Sequence, residues 1–108
     1  MAKFILLYKG PATPQADITP EVGAQLMQAW EAWMGKVSAS LVDAGAPFTG
    51  NSTAVVADGS TRSASDLTGY TIVEAPDINA AKALVGGNPF LDDGSAKFAV
   101  EVYELGTM

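Results

Sequence analysis

Histidine and cysteine are both absent from this chain. Without cysteine there is no disulfide, no thiol nucleophile and no thiolate-held zinc or iron–sulfur site. Without histidine the chain lacks the commonest metal ligand and the usual acid–base group at neutral pH. A Ser–His–Asp arrangement is impossible for the same reason. We therefore expect no metal site and no cofactor.

Basic residues are scarce, with 6 lysines and arginines against 12 acidic residues and a net charge of −6. This balance argues against nucleic-acid binding, which depends on clustered positive charge. It also argues against binding to an anionic membrane surface. No apolar run approaches the roughly 20 residues that span a bilayer, and the apolar start lacks the length and cleavage site of a signal peptide. We expect a cytoplasmic protein with no nucleic-acid or membrane partner.

Hydrophobic residues make up 48% of the 108 residues and charged residues 17%. This length predicts one domain, 1–108, with a core large enough to fold without disulfides or metal. The charged fraction is below the roughly 25% usual in soluble domains. A monomer so poor in charge would leave apolar surface in water, which first suggests self-association.

The clearest structural signals lie between Leu67 and Phe90. Tyr70–Val73 is β-branched or aromatic and predicts a strand, which Pro76 ends because it has no N–H to donate. Asp77 is a suitable N-cap for a helix whose apolar residues recur at helical spacing. Gly86–Gly87 predicts the left-handed exit from that helix.

The first half of the chain predicts a strand, a long helix and a hairpin. Lys3–Lys9 is apolar at consecutive positions, typical of a central strand covered on both faces. A helix begins with Thr19 as N-cap and continues through Leu41, ending at Ala44-Gly45. Pro47–Gly50 is predicted as a short extended piece.

The hairpin signal is Asp58-Gly59, with Thr53–Ala57 and Thr61–Ser63 as its two strands. Lys97–Leu105 alternates and predicts the last strand. The order β, long α, β-hairpin, β, short α, β predicts a ferredoxin-like α+β fold, β-α-β-β-α-β, with an antiparallel sheet and two helices on one face. Since the first strand is apolar on both faces, the other face needs a second subunit, and we predict a homodimer through the sheet faces.

The chain resembles the YCII-related family of YciI-like and DGPF-type proteins, which are dimeric α-β barrels on a ferredoxin-like core. The resemblance rests on Lys3–Tyr8, Thr19–Glu21, Ala44-Gly45, Leu67–Ala75 and Asp77–Leu84, and so spans nearly the whole chain. The DGPF motif is missing, and the segment where it would lie is shortened.

The YciI-like branch carries a His–Asp pair proposed as catalytic, and this function does not transfer to a chain without histidine. By register from Gly45 the histidine would fall near Trp33 or Met34, which have the spacing of core residues. The family also includes a dehydrochlorinase acting on an aromatic substrate, but no motif of this chain points to that chemistry.

Two tryptophans, Trp30 and Trp33, lie in a helical stripe with Met27 and Met34. Core packing against the sheet explains the spacing. The alternative is the wall of an apolar ligand pocket between helix 1 and the sheet. Two tryptophans in four residues are more bulk than a tight seam needs, so one of them could line a cavity or the dimer interface. The pocket residues we predict are Trp30, Trp33, Tyr70 and Phe90.

Carboxylates inside the strand patterns are the candidate catalytic groups. Glu74 shares a face with Tyr70, and Glu101 shares one with Tyr103. If the two strands are neighbours, the four side chains form a cluster in which a buried glutamate with a raised pKa can act as general base. Two solvated carboxylates are the alternative.

Arg62, the one arginine of the chain, is either a surface partner of Asp66 or a clamp for an anionic ligand. The turn Asp92–Gly94 lacks the spacing and the final glutamate of a calcium loop, so we expect a solvated turn.

Two functions follow. The first is a non-catalytic dimeric module that binds a small apolar molecule. The second is a cofactor-free lyase or isomerase acting on a small apolar or aromatic compound, with a glutamate as base and a tyrosine or Arg62 orienting the substrate.

Overall fold

The computed structural model describes residues 1–10, 19–49, 51–91 and 98–106. Two helices and six strands lie within these ranges. The helices are α1 (Pro20–Lys36) and α2 (Ile78–Leu84). The strands are β1 (Ala2–Lys9), β2 (Leu41–Asp43), β3 (Ala54–Val55), β4 (Thr61–Arg62), β5 (Leu67–Ala75) and β6 (Ala99–Leu105). Asp92–Gly94 and Lys97 lie outside the described residues.

The main sheet has the strand order β2-β5-β1-β6, and every neighbouring pair is antiparallel. This is the ferredoxin-like order, with the small sheet β3-β4 inserted between β2 and β5. The central position of β1 is confirmed. Its residues pair with β5 on one side and β6 on the other, for example Ile5 with Ile72 and with Tyr103.

Both helix starts follow the predicted chemistry. Thr19 Oγ1 accepts a hydrogen bond from Val22 N at 3.2 Å, and Pro20 is the first helical residue of α1. Asp77 Oδ1 accepts from Ala80 N at 2.8 Å at the start of α2. Gly87, with φ +80°, supplies the left-handed exit after α2. Neither helix has the length and apolar character needed to cross a membrane.

The predicted end of α1 is wrong. The helix ends at Lys36, a 3₁₀ turn covers Ser38–Ser40, and Leu41 begins β2. Leu41 continues the helical spacing, but it pairs with Val73 of β5 instead. Pairing at the sheet edge provides hydrogen bonds and burial that one more helical turn cannot, and it overrides the periodicity.

The hairpin at Asp58-Gly59 is confirmed, although its strands are only two residues each. Asp58 Oδ1 accepts from Ser60 N at 2.9 Å, and Gly59 has φ +90°. The hairpin stands apart from the main sheet, and Val55 on it is 73% exposed. Of the predicted extended piece 47–50, Pro47 forms an isolated bridge with Gly69.

The core lies between the two helices and one face of the sheet. Its buried residues come from β1, β5, α1 and α2 and include Phe4, Leu6, Trp33, Val73 and Ala81. Val100 and Val102 of β6 pack against it. Both helices therefore cover the same face, as predicted.

The other face of the sheet carries no helix among the described residues. Ile5, Leu7 and Ile72 alternate with core residues on β1 and β5 and are partly exposed on it. Tyr103, the β6 partner of Ile5, is 52% exposed. We call this surface, made by Ile5, Leu7, Tyr70, Ile72 and Tyr103, the open face.

Candidate functional site

A cavity of about 330 Å³ lies between α1 and the sheet. Four chain segments enclose it: the end of β1, the middle of α1, the loop after β2 and the start of β5, with one aromatic side chain from the turn after α2. Its lining residues are Tyr8, Trp30, Met34, Ala44, Gly45, Ala46, Pro47, Thr68, Gly69, Tyr70, Thr71 and Phe90. Most of these present apolar atoms, and a concave, mostly apolar cavity with a few polar groups is typical of small-molecule sites.

Aromatic rings form one wall of this cavity. The Tyr8 ring meets the Trp30 ring edge-on, with centroids 5.4 Å apart, and meets the Phe90 ring at 5.3 Å. Both distances are within the range for favourable aromatic pairs. The three rings fix one another and leave a wall suited to a flat, apolar molecule.

A buried polar network interrupts the aromatic wall. Tyr8 Oη lies 2.7 Å from Thr71 Oγ1, and Thr71 Oγ1 donates to the Ala44 carbonyl oxygen at 3.1 Å. Asn88 Nδ2 donates to Tyr8 Oη over a longer 3.5 Å. We call these four groups the Tyr8 network. Tyr8, Thr71 and Asn88 are all buried, so these hydrogen bonds replace those to water that the groups lose on folding.

The Tyr8 hydroxyl is neutral at physiological pH. Burial raises its pKa above the usual value, and the hydrogen bonds with Thr71 and Asn88 only partly oppose that rise. The hydroxyl therefore keeps its proton and acts as a neutral hydrogen-bonding group.

Two glycines let the loop after β2 approach the sheet. Gly45 has φ +78°, and a Cβ there would lie 1.7 Å from the Tyr70 carbonyl oxygen. At Gly69 a Cβ would lie 3.1 Å from the Ala46 carbonyl oxygen. The carboxylate of Asp43 accepts from Gly45 N at 2.8 Å and holds the turn. The floor of the cavity depends on this close contact between backbones.

Three of the four predicted pocket residues line the cavity, and the fourth lies in the core. Trp30 and Phe90 line the cavity, and so does Tyr70, whose carbonyl oxygen lies against Gly45 there while its side chain alternates onto the open face. Trp33 does not: it is 2% exposed in the core, and its Nε1 donates to the Leu84 carbonyl oxygen at 3.0 Å. Core packing is therefore correct for Trp33, and a place in the cavity wall is correct for Trp30. Whether the cavity binds a ligand stays a prediction.

The predicted glutamate–tyrosine cluster does not form, because β1 lies between β5 and β6. Glu74 pairs with Lys3, and Glu101 Oε2 lies 4.0 Å from Lys9 Nζ. Both carboxylates lie on the same side of the sheet as the open face, and neither lines the cavity. Tyr103 is likewise on the open face.

Arg62 lies exposed on β4 and does not line the cavity. Within the described ranges the ion pair found joins Lys9 to Glu101, and Arg62 has none with Asp66. A second, more polar hollow of about 520 Å³ lies beside the hairpin, and Arg62 is outside its lining too. The described part of the chain holds no group of three or more acidic residues placed to bind a metal.

Sequence reasoning missed Tyr8, Thr71 and Asn88 as candidate site residues. Tyr8 was indistinguishable from its apolar neighbours in β1, and Thr71 fitted a strand pattern. Their partners are 63 and 80 residues away, beyond the reach of any periodicity. The sequence offers at most the polar Asn88 between Gly87 and Pro89 as a signal, and its burial becomes visible only in the structure.

Protein-family models and the curated proteins give no match to this chain. Among solved structures, it is similar to the 5-chloro-2-hydroxyhydroquinone dehydrochlorinase of Burkholderia phenoliruptrix AC1100, solved in complex with 2,5-dihydroxybenzoquinone. The TM-score is 0.54 with 20% sequence identity, covering 96% of this chain and 93% of the other. At this identity the likeness is one of fold: the chain shares the ferredoxin-like α+β architecture of that enzyme over nearly its whole length.

Proposed function

We propose that this protein binds a small, flat, largely apolar molecule in the cavity between α1 and the sheet. The observation that carries the proposal is the cavity itself, with Tyr8, Trp30 and Phe90 as its aromatic wall. Its volume is near the lower end of the range for ligand sites. A single substituted ring is the size of molecule that fits.

Burial in this cavity supplies the binding free energy. Removing apolar area from water contributes roughly 25 cal/mol per Å², and contact with an aromatic ring adds about 0.5–1.5 kcal/mol per pair. Trp30 has the largest ring of the wall, and Tyr8 and Trp33 both pack against it in T-shaped pairs, with centroids 5.4 and 5.9 Å from its own. The wall is therefore ordered before a ligand arrives, which limits the entropy lost on binding.

The test is titration of the protein with toluene and with phenol in an isothermal calorimeter. We expect saturable binding to the native protein and at least tenfold weaker binding to Trp30→Ala, since a large aromatic contact is lost. Leu26→Ala is the matched control, on the same helix but outside the cavity, and should bind like the native protein. Absence of binding, or equal weakening by both substitutions, would contradict the proposal.

The second candidate is a cofactor-free lyase or isomerase for a small apolar or aromatic compound. The fold shared with a dehydrochlorinase supports it, as does membership of the YCII-related family, which we propose on the residues that carry the resemblance. Glu74 and Glu101 remain the proposed bases, but a substrate reaching them would bind at the open face. Turnover that disappears in Glu74→Gln or Glu101→Gln, and survives in Tyr8→Phe, would favour this candidate over the binding module.

We further propose that two copies of the chain pair through their open faces. The apolar side chains there are partly exposed, and covering them would remove that area from water. Lys3 and Lys9 lie beside Glu74 and Glu101. A face that carries both signs of charge can meet a copy of itself across a two-fold axis without net repulsion.

Light scattering tests the pairing. We expect a dimer at micromolar concentration, and a monomer for Ile72→Glu, because each partner would bury an unpaired carboxylate. Val55→Glu is the control, since Val55 lies exposed on the hairpin away from the open face, and it should remain dimeric. A stable native monomer would refute the dimer.

A further inference from the structure

The directions of the hydrogen bonds in the Tyr8 network follow from its chemistry. The Ala44 carbonyl can only accept, so the single hydroxyl proton of Thr71 is donated to it. Thr71 Oγ1 has no second proton, and the 2.7 Å bond between the two hydroxyls therefore uses the proton of Tyr8. Both hydroxyl protons are committed to partners inside the protein.

Asn88 has a fixed orientation as well. Phe90 N donates to Asn88 Oδ1 at 2.9 Å, which turns the amide nitrogen towards Tyr8. Asn88 is buried and does not line the cavity. Its protons are not available to a molecule in the cavity, whereas Tyr8 and Thr71 both line it.

The hydroxyl oxygens of Tyr8 and Thr71 can still accept hydrogen bonds, although they have no proton left to donate. Each hydroxyl oxygen has lone pairs beyond those used in the network. A ligand that brings a hydrogen-bond donor gains a partner there. If the ligand has only an acceptor at the same place, its lone pairs face those of the hydroxyl oxygens and no hydrogen bond forms. Such a ligand also loses the hydrogen bonds that it made to water.

We propose that the Tyr8 network selects a donor-bearing aromatic ligand, of the class of neutral phenols, over ligands of similar shape that can only accept. This inference rests on the proposed binding function and names the class of molecule bound. Tyr8 contacts the ligand. Thr71 is a positioning residue: it acts by taking the Tyr8 proton, and so decides which kind of ligand Tyr8 accepts.

Substitutions of Thr71 test the proposal, because they should change whether the cavity prefers a donor-bearing or an acceptor-only ligand. In Thr71→Val the shape is preserved, but the Tyr8 hydroxyl loses its acceptor and can turn its proton towards the cavity. In Thr71→Ser the hydroxyl, and with it the network, is retained. Tyr8→Phe removes the contacting group altogether.

The experiment compares phenol, a donor that is neutral at pH 7 like a tyrosine side chain, with acetophenone, which can only accept. The quantity measured is the ratio of their dissociation constants by calorimetry for the native protein and each variant. Phenol and acetophenone differ in size and apolar area, but this difference is common to all the proteins and cancels when the ratio is compared between them. The Trp30 indole N–H is likewise the same in every variant.

We expect Thr71→Val to shift the ratio towards acetophenone by about 3–10-fold, the range that one neutral hydrogen bond supports. Thr71→Ser should keep the native ratio, and Tyr8→Phe should reduce the native preference for phenol. Circular dichroism checks that each variant is folded. If Tyr8→Phe does not fold, the comparison of Thr71→Val with Thr71→Ser is enough to test the proposal.

Two results would overturn the inference. If both probes bind and the ratio is the same in native protein, Thr71→Val and Thr71→Ser, the network does not select the ligand, although the binding function stands. If neither probe binds the native protein, the binding function fails, and this inference fails with it.

Discussion

Trp33→Ala is expected to lower the free energy of unfolding by about 3–5 kcal/mol, the range for truncating a buried tryptophan. Trp33 is 2% exposed and packs in the core between β1, β5 and both helices. Its Nε1 also donates to the carbonyl of Leu84, the last residue of α2. Truncation leaves both a void and a helix-end carbonyl without its partner. For a domain with a typical stability of about 5–15 kcal/mol, this is a large fraction of the total.

Urea denaturation followed by circular dichroism measures the loss, with an unchanged m-value as evidence that the transition is the same. Trp33→Phe keeps much of the volume and removes the indole donor, so we expect a smaller loss, about 1–2 kcal/mol. Trp30→Ala is the contrasting variant, because Trp30 lines the cavity and is only half-buried. If Trp30→Ala proves as costly as Trp33→Ala, the division of roles between the tryptophans is wrong.

The second large effect is expected at Gly45. Gly45→Ala should cost about 2–4 kcal/mol of stability, since an alanine at φ +78° is strained and its Cβ would overlap the Tyr70 carbonyl. The overlap is with backbone, so no side chain can move aside to relieve it. Because Gly45 forms part of the cavity floor, ligand affinity should fall together with stability.

Gly59→Ala separates strain from overlap. Gly59 has φ +90°, close to the value at Gly45, but a Cβ at this position would have open space within 4 Å. Its substitution should cost only the conformational strain, roughly 1–2 kcal/mol, and leave ligand affinity unchanged. Thermal unfolding and calorimetry on both variants give the comparison, and equal losses of stability would show that the contact with Tyr70 is unimportant.

The parts of the fold that could be predicted from the sequence are those specified by neighbouring residues. Pro76 and Asp77 mark the end of β5 and the start of α2, and the hydrogen bond from Ala80 N is as expected. Leu41 shows the limit. Its position in a helical repeat is a local property, while its pairing with Val73 is decided by a strand more than 30 residues further along the chain.

The candidate site shows the same limit more sharply. The bulk of two tryptophans on one helix face indicated that one of them could line a cavity or the dimer interface, but the spacing did not distinguish Trp30 from Trp33. The Tyr8 network could not be foreseen, since its hydrogen bonds join β1, β5 and the turn after α2. Gly35, inside α1, has nothing within 4 Å of the position that a Cβ would occupy, so no close approach of another element explains this glycine. It is a plain weak point of α1.

The pairing of β1 has a consequence for how the chain folds. Its two neighbours, β5 and β6, lie far downstream, so the central strand finds no strand partner among the described residues between 10 and 66. Contacts of such long sequence separation make folding slow, because the closure entropy of a long loop is lost before any pairing compensates it. During synthesis, the apolar segment from Phe4 to Tyr8 must wait for β5 with both edges unpaired. Until then this segment needs shielding from other nascent chains.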